Sequence, residues 1–318
     1  MGQAKMGGTA GGARRAGGKG AQGAACVIAA GFFWGYTGAC AQYLFVRYGT
    51  DPLWLTSLRM IVAGLLLVAY GAATDRKAMV AIWRNRSDAA MTVFVGIFGL
   101  MLSQYAYLAA IGHSNAGTTT AIQFLFPVYI MLHVCVSSRR LPSGTELLSV
   151  LLALCGTFAL ATHGDFGGMQ ITGRALVWSL LSGIAVAIYS IFPKGILEKY
   201  GSVPVTGYGM LIGGVALCVA GRAWNAQVQL DWAGIAAVSS IVLIGTALAQ
   251  TLYMRGLSIV GPSRASMLIS VQLFAATFFA MAWLKTRFEA FDMLGFAFIL
   301  AMFFLLARKG PALYSNCE

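Results

Sequence analysis

The sequence predicts an all-α polytopic membrane protein in which ten transmembrane helices form two inverted five-helix repeats. Its composition is the first reason: of 318 residues, 58% are hydrophobic and only 10% are charged, against about 25% in soluble proteins. So few charges could not cover a soluble protein of this length, and the chain must therefore face lipid. The other reasons are a series of long apolar segments and an internal similarity between the two halves of the chain.

The chain begins with a basic segment that has little to bury. Residues 1–23 are mostly Gly, Ala, Lys and Arg, a composition typical of disordered tails. The apolar segment that follows, about 24–46, is longer than the roughly 7–15 residues of a signal-peptide core. We therefore expect it to be retained as the first transmembrane helix.

Nine further apolar segments follow, each close to the length of about 20 residues that a bilayer requires. They cover about 53–73, 89–111, 116–137, 145–163, 173–193, 203–221, 232–254, 261–284 and 290–307. Only one connection between them, 74–88, is long. We divide the chain into the tail 1–23, a first repeat 24–163, a second repeat 164–308 and a cytoplasmic tail 309–318.

The distribution of basic residues predicts that both termini are cytoplasmic. Cytoplasmic loops of membrane proteins carry an excess of Lys and Arg. If the N-terminus is inside, all but six of the 22 basic residues fall in cytoplasmic segments; the exceptions are Arg47, Arg59, Arg174, Arg222, Lys285 and Arg287. The net charge of +12 then belongs to a protein of the plasma (cytoplasmic) membrane, and no nucleic-acid partner is expected.

Metal ions and cofactors are not expected. The six cysteines form no CxxC pair and no cluster with histidine, and five of them lie in apolar segments, where cysteine acts as a small hydrophobic residue. All ten acidic residues fall in loops, tails or helix ends, which disfavours cation–proton exchange through a membrane carboxylate. His133 lies inside a span but off the helix face of Gln123, which favours a structural role over proton transfer.

The two halves of the chain resemble each other at a spacing near 150 residues. Arg47–Pro52 (RYGTDP) resembles Lys199–Pro204 (KYGSVP), 152 residues later, and Leu102–Tyr107 (LSQYAY) resembles Leu248–Tyr253 (LAQTLY), 146 residues later. Because five helices per half is an odd number, the second half would enter the membrane upside down. Inverted repeats of this kind recur in secondary transporters, which bind substrate near the bilayer midplane between the halves.

The order of several short patterns resembles the EamA family of the drug/metabolite transporter superfamily. The resemblance covers about 24–308. Trp34-Gly35 stands in helix 1, Pro52 with Arg59 leads into helix 2, the region Tyr107 to Thr119 leads into helix 4 with its Pro127, and Arg140-Leu141 follows helix 4. Departures are Arg139 and Thr286, where the family often has an acidic residue, and Gln272-Leu273, where the second half lacks a proline.

The resemblance implies a specific arrangement and activity. Helices 1–4 and 6–9 would surround a central cavity, and helices 5 and 10 would lie at the periphery. The family transports small metabolites, and amino-acid export is frequent in it.

Eleven residues make up the candidate substrate-binding set. Polar side chains inside membrane helices tend to face a protein interior or water, and glutamine, tyrosine and tryptophan offer hydrogen-bonding groups and flat apolar faces. Hydrogen bonding between helices is the alternative role for each. The set is Trp34, Gln42, Arg59, Gln104, Tyr107, Gln123, Pro127, Tyr189, Gln250, Tyr253 and Gln272.

Two members of this set have particular predicted roles. Pro127 removes one helix hydrogen bond and is expected to kink helix 4. Arg59 lies about 10 Å into helix 2 with no acidic residue nearby in the sequence. It could face the cavity and bind a carboxylate, or its side chain could extend back to the membrane surface.

The sequence thus favours a secondary transporter or facilitated exporter of a small polar metabolite, with an amino acid among the candidates, working by alternating access. A lipid or lipid-carrier translocase is the alternative transport function. A membrane-embedded enzyme would need a catalytic group of acids or histidines that this sequence lacks, and a sensor would usually need a soluble domain. The expected partners are a small-molecule substrate and the lipid bilayer. A homodimer is a further candidate assembly.

Overall fold

The computed structural model describes residues 9–162, 171–260, 265 and 268–308. Within these ranges the chain forms helices and turns and no β-strand. Of the described helices, eight are long and apolar enough to cross a membrane, and two others are shorter but also apolar. The prediction of an all-α membrane protein is confirmed, and the chain is an integral membrane protein.

The apolar helices are labelled in chain order. They are α1 (Thr9–Tyr48), α2 (Pro52–Thr74), α3 (Arg86–His113), α4 (Ala116–Ser137), α5 (Gly144–Thr162), α6 (Gly173–Ile191), α7 (Ser202–Ala220), α8 (Trp232–Leu257), α9 (Val271–Ala282) and α10 (Ala290–Arg308). Two short helices, Arg76–Arg84 and Lys194–Tyr200, lie in the connections before α3 and before α7.

Side-chain caps fix where several helices begin. Asp51 accepts a hydrogen bond from the backbone N–H of Leu53 at the start of α2, and Pro52 occupies the first turn, where its missing N–H costs nothing. Asn115 accepts from Thr118 N at the start of α4. Caps of this type stabilise a helix by about 1 kcal/mol each, so the polar residues between apolar segments set the helix boundaries.

Two buried acids cap α5 and α10. Glu146 accepts the backbone N–H of Ser143 at 2.7 Å and both guanidinium N–H groups of Arg140 at 2.8 and 2.9 Å. Asp292 is fully buried and accepts the backbone N–H of Glu289 at 2.8 Å. Both acids stand at helix ends, as the sequence predicts, and both have helix-capping contacts.

The first helix is longer than the sequence predicts. α1 begins at Thr9, inside the segment 1–23 that the sequence predicts to be a disordered tail. Once a helix exists, adding residues to its end is favourable, and alanine is a strong helix former. Residues 1–8 and the second tail, 309–318, lie outside the described residues.

The long connection 74–88 also contains helix. The helix Arg76–Arg84 starts at Asp75, whose side chain accepts a hydrogen bond from Ala78 N. It buries Met79 and Ile82. An amphipathic segment of this kind is too short to span a bilayer, but it can cover the ends of the helices beside it.

Three helices are interrupted and a turn directly precedes a fourth, at corresponding positions in the two halves. π-helical turns cover Val95–Met101 in α3 and Ile241–Leu248 in α8, starting 146 residues apart. α4 breaks at residues 124–125, one turn before Pro127, because a proline ring clashes with the carbonyl four residues earlier. Residues 269–270 form a turn before α9 although no proline follows there. The kink predicted for helix 4 is thus present, and a matching interruption occurs in the second half.

The helices pack in pairs that cross between the halves. α2 packs along α7, α5 packs along α10, α1 contacts α8 and α9, and α3 contacts α6. Glycines allow the closest approaches: a Cβ at Gly35 of α1 would lie 2.6 Å from the backbone N of Ala276, and one at Gly64 of α2 would lie 2.6 Å from the backbone N of Leu211. Small residues are what such seams require in membranes.

Two tyrosine–aspartate contacts join the halves near helix ends. Tyr48, the last residue of α1, donates a hydrogen bond to Asp231, which caps α8. Tyr200 donates to Asp88 in the first turn of α3 at 2.7 Å, and Lys199 forms an ion pair with the same carboxylate. Each contact links the end of a helix in one half to the start of the third helix in the other half.

Candidate substrate cavity

A central cavity lies among α1, α2, α3, α4, α6, α8 and the start of α9. The cavity and its mouth together contain about 1020 Å³ of space, part of which is open to solvent. Among the described residues, α5, α7 and α10 contribute nothing to its wall. The lining residues are Trp34, Thr37, Gly38, Arg59, Leu100, Ser103, Gln104, Tyr107, Gln123, Phe124, Phe126, Val186, Tyr189, Ser190, Gly245, Thr246, Gln250, Tyr253, Ile269 and Gln272.

The structure brings nine of the eleven sequence-predicted site residues to this wall. Gln42 and Pro127 are the two that do not line it. The nine are Trp34, Arg59, Gln104, Tyr107, Gln123, Tyr189, Gln250, Tyr253 and Gln272.

Arg59 carries the only charge on the described part of the wall. It is the eighth residue of α2, and 8% of its surface is exposed. Its Nε atom is buried and has no hydrogen-bond partner among the described residues. Of its two predicted orientations, the one toward the cavity is therefore the one observed, because a side chain that extended to the membrane surface would be exposed at its tip.

Two glutamines at equivalent positions of the halves have side-chain amides without a hydrogen-bond partner among the described residues. Gln104 follows the π-helical turn of α3, and Gln250 follows that of α8. Neither side chain forms a hydrogen bond with another described residue, and both line the cavity. A primary amide offers two donors and an acceptor, so the two can bind a polar ligand from two helices.

The other polar wall residues are held by neighbours. Tyr107 donates to Thr120 at 2.8 Å, and Thr120 donates in turn to the carbonyl of Ala116. Gly38 makes room for that tyrosine, because a Cβ there would lie 2.8 Å from the hydroxyl. Gln123 donates to Ser182 at 2.9 Å. These bonds fix the wall before any ligand arrives.

An aromatic and apolar surface completes the cavity. The rings of Trp34 and Tyr253 lie 5.2 Å apart and are tilted by 46°. Phe124 and Phe126 stand at the break in α4, where both rings also contact Phe303. The apolar part of a ligand would meet these rings.

Gln42 has a structural position. Its Nε2 donates to Thr286 at 3.1 Å, and its Oε1 accepts the backbone N–H of Ala116 at 2.9 Å. It therefore joins α1 to the start of α4 and to the loop after α9. The sequence could not separate this role from binding, because an amide in an apolar helix suits both.

Pro127 lies in the first turn of the second part of α4. Its ring breaks the helix and so places Phe124 and Phe126 at the wall, but proline itself is not part of the wall. His133 also lies away from the cavity, with its ring centroid 6.0 Å from that of Phe192.

Several wall residues were missed by the sequence reasoning. Thr37, Ser103 and Ser190 line the cavity. Each lies within three residues of a predicted member of the set: Thr37 is close to Trp34, Ser103 to Gln104 and Ser190 to Tyr189. Small hydroxyl residues are common in membrane helices as packing residues, so only their neighbours could have singled them out.

The fold and its cavity agree with the comparison to known proteins. The sequence profile described as "EamA-like transporter family" matches residues 21–162 and again residues 173–308. The chain belongs to the EamA-like transporter family. The family resemblance of the sequence is thus confirmed, and this EamA-like chain has multiple apolar helices, as a membrane transporter requires.

Relatives of this EamA-like chain are named as transporters. The protein "Uncharacterized inner membrane transporter YicL" of Salmonella typhimurium is 32% identical over 281 residues, which are 88% of this chain and 93% of that protein. An "Uncharacterized transporter" of Archaeoglobus fulgidus is 25% identical over 190 residues, which are 58% of this chain and 62% of that protein. One solved crystal structure matches the EamA-like fold with a TM-score of 0.61 at 16% identity, over 92% of this chain and 99% of that chain.

Proposed function

We propose that this chain is a secondary transporter or facilitated exporter that moves a small polar metabolite across the plasma membrane by alternating access. The observation that carries this proposal is the central cavity with the buried Arg59 in its wall, whose Nε atom has no hydrogen-bond partner among the described residues. A buried cation without a partner is costly in a membrane protein. A bound solute that carries an acceptor would compensate this cost, and we therefore assign the cavity to solute binding.

Alternating access is supported by features that recur between the halves. The π-helical turns, the helix breaks, the unused glutamines and the capping acids each recur at a spacing of 145 or 146 residues. The helix pairs show the same equivalence when each helix of the first half is matched to the helix five places later. The pair α1–α8 then becomes the pair α6–α3, and the pairs α2–α7 and α5–α10 each become the same pair again. These relations support the proposal that the chain consists of two inverted five-helix repeats, and substrate sites of transporters built in that way lie at the interface of the repeats.

The proposed orientation has both termini in the cytoplasm. The excess of basic residues in the segments that would then be cytoplasmic supports it. The relative in Salmonella typhimurium is named an inner membrane protein, which agrees with a plasma (cytoplasmic) membrane location.

The test is metabolite flux through the purified protein. Proteoliposomes containing the chain are loaded with a mixture of bacterial metabolites, and the solutes released are identified by mass spectrometry. We expect a small set of polar metabolites to leave vesicles that contain the protein and to stay in empty vesicles. Release of a labelled phospholipid or lipid carrier without metabolite flux would instead support the lipid translocase.

A matched pair on α6 separates transport from leakage. Val186 lines the cavity, and Val177 lies on the exposed surface of the same helix. Val186→Trp fills part of the cavity and should reduce flux at least about tenfold, because a bulky side chain excludes the solute from its site. Val177→Trp should leave flux unchanged. Equal flux in both variants would contradict the cavity as the transport site.

A further inference from the structure

The wall of the cavity has an uncompensated positive charge. Among its described residues Arg59 is the one charged group, and none is an aspartate or glutamate. The remaining polar residues are hydroxyls and amides, which are neutral at every physiological pH. The described wall therefore carries one positive charge.

The chemistry of this charge selects a particular group on the ligand. A guanidinium is planar, and two of its N–H groups together match the two oxygens of a carboxylate. Arg59 lines the cavity, and none of the described residues accepts a hydrogen bond from its buried Nε atom, so a ligand that reaches the guanidinium brings an acceptor that the described part of the protein does not supply. The part-buried contact of Arg140 with Glu146 in this protein is bidentate in this way.

The rest of the described wall contains no carboxylate that could pair with a cation on the ligand. An ammonium group that leaves water for the interior of a membrane protein is compensated best by an acid, and the acceptors on the described wall are neutral amide and hydroxyl oxygens. The rings of Trp34 and Tyr253 are packed on each other at 5.2 Å, and no acid lies beside them on the described wall. A zwitterion would thus satisfy Arg59 but leave its ammonium group without a countercharge on the described wall.

We propose that the substrate is a small monocarboxylate with net charge −1, bound through its carboxylate to Arg59, rather than a zwitterionic amino acid or a cation. Its apolar body lies against Phe124, Phe126 and the Trp34 ring, and neutral polar substituents bind the amides of Gln104 and Gln250. This inference rests on the proposed function, because it names the substrate class for the same cavity.

The test measures equilibrium binding to the purified full-length chain with ligands that share an apolar body and differ in the charge of their polar groups. One set is 3-phenylpropanoate, phenylalanine, 3-phenylpropanamide and 2-phenylethylamine; a second, aliphatic set is 4-methylpentanoate, leucine, 4-methylpentanamide and isoamylamine. We expect the carboxylate of at least one set to bind about tenfold or more tightly than the amide and the amino acid of that set. A charge-assisted bidentate contact is worth that much.

Variants connect the preference to Arg59. Arg59→Gln should remove the preference for carboxylate over amide. Arg59→Lys should keep part of this preference, because lysine keeps the positive charge but lacks the paired N–H donors of the planar guanidinium. Arg174→Gln removes an arginine that lies on an exposed part of α6 and should change nothing. Size-exclusion profiles and melting temperatures check that the variants fold.

The wild-type comparison keeps the inference falsifiable even if Arg59→Gln does not fold. Tighter binding of the amino acids or amines than of the carboxylates overturns it, as does failure of both carboxylates to bind. An unchanged carboxylate preference in a folded Arg59→Gln variant overturns it as well. Carboxylate binding without any flux in proteoliposomes would count against transport but not against the carboxylate site, whereas flux of zwitterions alone would count only against this inference.

Discussion

Gln42 and Gln104 are both amides in apolar helices, but they have different partners. The first is bonded at both ends of its amide, to Thr286 and to the backbone of Ala116. The second has no partner among the described residues and faces the cavity. A buried hydrogen bond contributes to stability mainly because its loss leaves the partner unsatisfied. Stability should therefore depend on Gln42, and ligand binding on Gln104.

A pair of leucine substitutions tests this difference. Gln42→Leu leaves the backbone N–H of Ala116 without its acceptor, and should lower the free energy of unfolding by roughly 1–2 kcal/mol. Gln104→Leu removes the same chemical group from the wall, and should change stability by less than about 0.5 kcal/mol. Denaturant unfolding in one detergent measures both. Equal losses for the two variants would contradict the structural role of Gln42.

Asp231 gives a prediction about pH. The hydrogen bond from Tyr48 is the main cause that lowers its pKa, followed by the backbone N–H of Gly234. Because the pKa of the folded protein is below the unfolded value of about 3.9, this contact stabilises the fold above that pH. The contribution is lost as the pH falls through the lower, folded pKa.

Tyr48→Phe removes the main cause of that shift. The melting temperature of the variant should therefore fall less between pH 6 and pH 3 than that of the wild type. Tyr70→Phe, which removes the hydroxyl of an exposed tyrosine on α2, is the control and should follow the wild type. If the melting temperatures of Tyr48→Phe and of the wild type fall by the same amount with pH, the hydrogen bond from Tyr48 does not lower the pKa of Asp231.

Among the helices, the seam of α1 with α9 depends on the absence of one methyl group. At Gly35 a Cβ would lie 2.5 Å from the Cβ of Ala275 and 2.6 Å from the backbone N of Ala276. The nearest atoms include backbone, which cannot rotate away. At Gly195, in the short helix before α7, no other atom lies within 4 Å of the position that a Cβ would occupy.

Alanine substitutions at these two glycines should have opposite effects. Gly35→Ala should destabilise the protein by about 1–3 kcal/mol, because the two helices must move apart. Gly195→Ala should be neutral or stabilise slightly, because alanine is the better helix former. Thermal unfolding in detergent separates the two. A Gly35→Ala variant as stable as the wild type would mean that the seam can widen at no cost.

The helices also show which features a sequence can and cannot predict. Long apolar segments predicted the helices because only a helix satisfies its own backbone in lipid, and Pro127 predicted the break in α4. The turn at residues 269–270 carries no proline, and the π-helical turn Val95–Met101 consists only of Gly, Val, Ile, Leu, Phe and Met. Such interruptions depend on packing between helices, which leaves no local signal.

The candidate site follows the same rule. Arg59 and the glutamines were predicted because polar groups are costly in lipid and so mark positions that face the protein interior. Whether such a group faces the cavity or a neighbouring helix depends on three-dimensional distances. The positions of Gln42 and Thr37 therefore required the structure.

For the whole molecule, the two contacts of Tyr48 with Asp231 and of Tyr200 with Asp88 are present together. If each closed one side of the transporter in turn, only one would be formed at a time. Their joint presence instead fits a role in holding α1 to α8 and the short helix after α6 to α3. Movement during transport would then occur between these cross-half pairs.

The topology of the whole chain can be tested without a substrate. Reporter domains fused after Arg86 and after Asp165 should lie on opposite sides of the membrane, the first in the cytoplasm, because the basic residues favour a cytoplasmic N-terminus. Alkaline phosphatase and a fluorescent protein report the two sides. Both fusions on one side would contradict the inverted arrangement that we propose for the halves.

The division of the cavity wall among seven helices has a consequence for how such proteins diversify. Each helix contributes only a few side chains to the wall, and changes at well-separated positions act almost independently. If the cavity is the transport site, as we propose, one substitution can alter a single contact with the cargo while the remaining helices hold their places. A lineage with this architecture can change what it carries in small steps, each tolerated by the fold, and close relatives need not share a cargo.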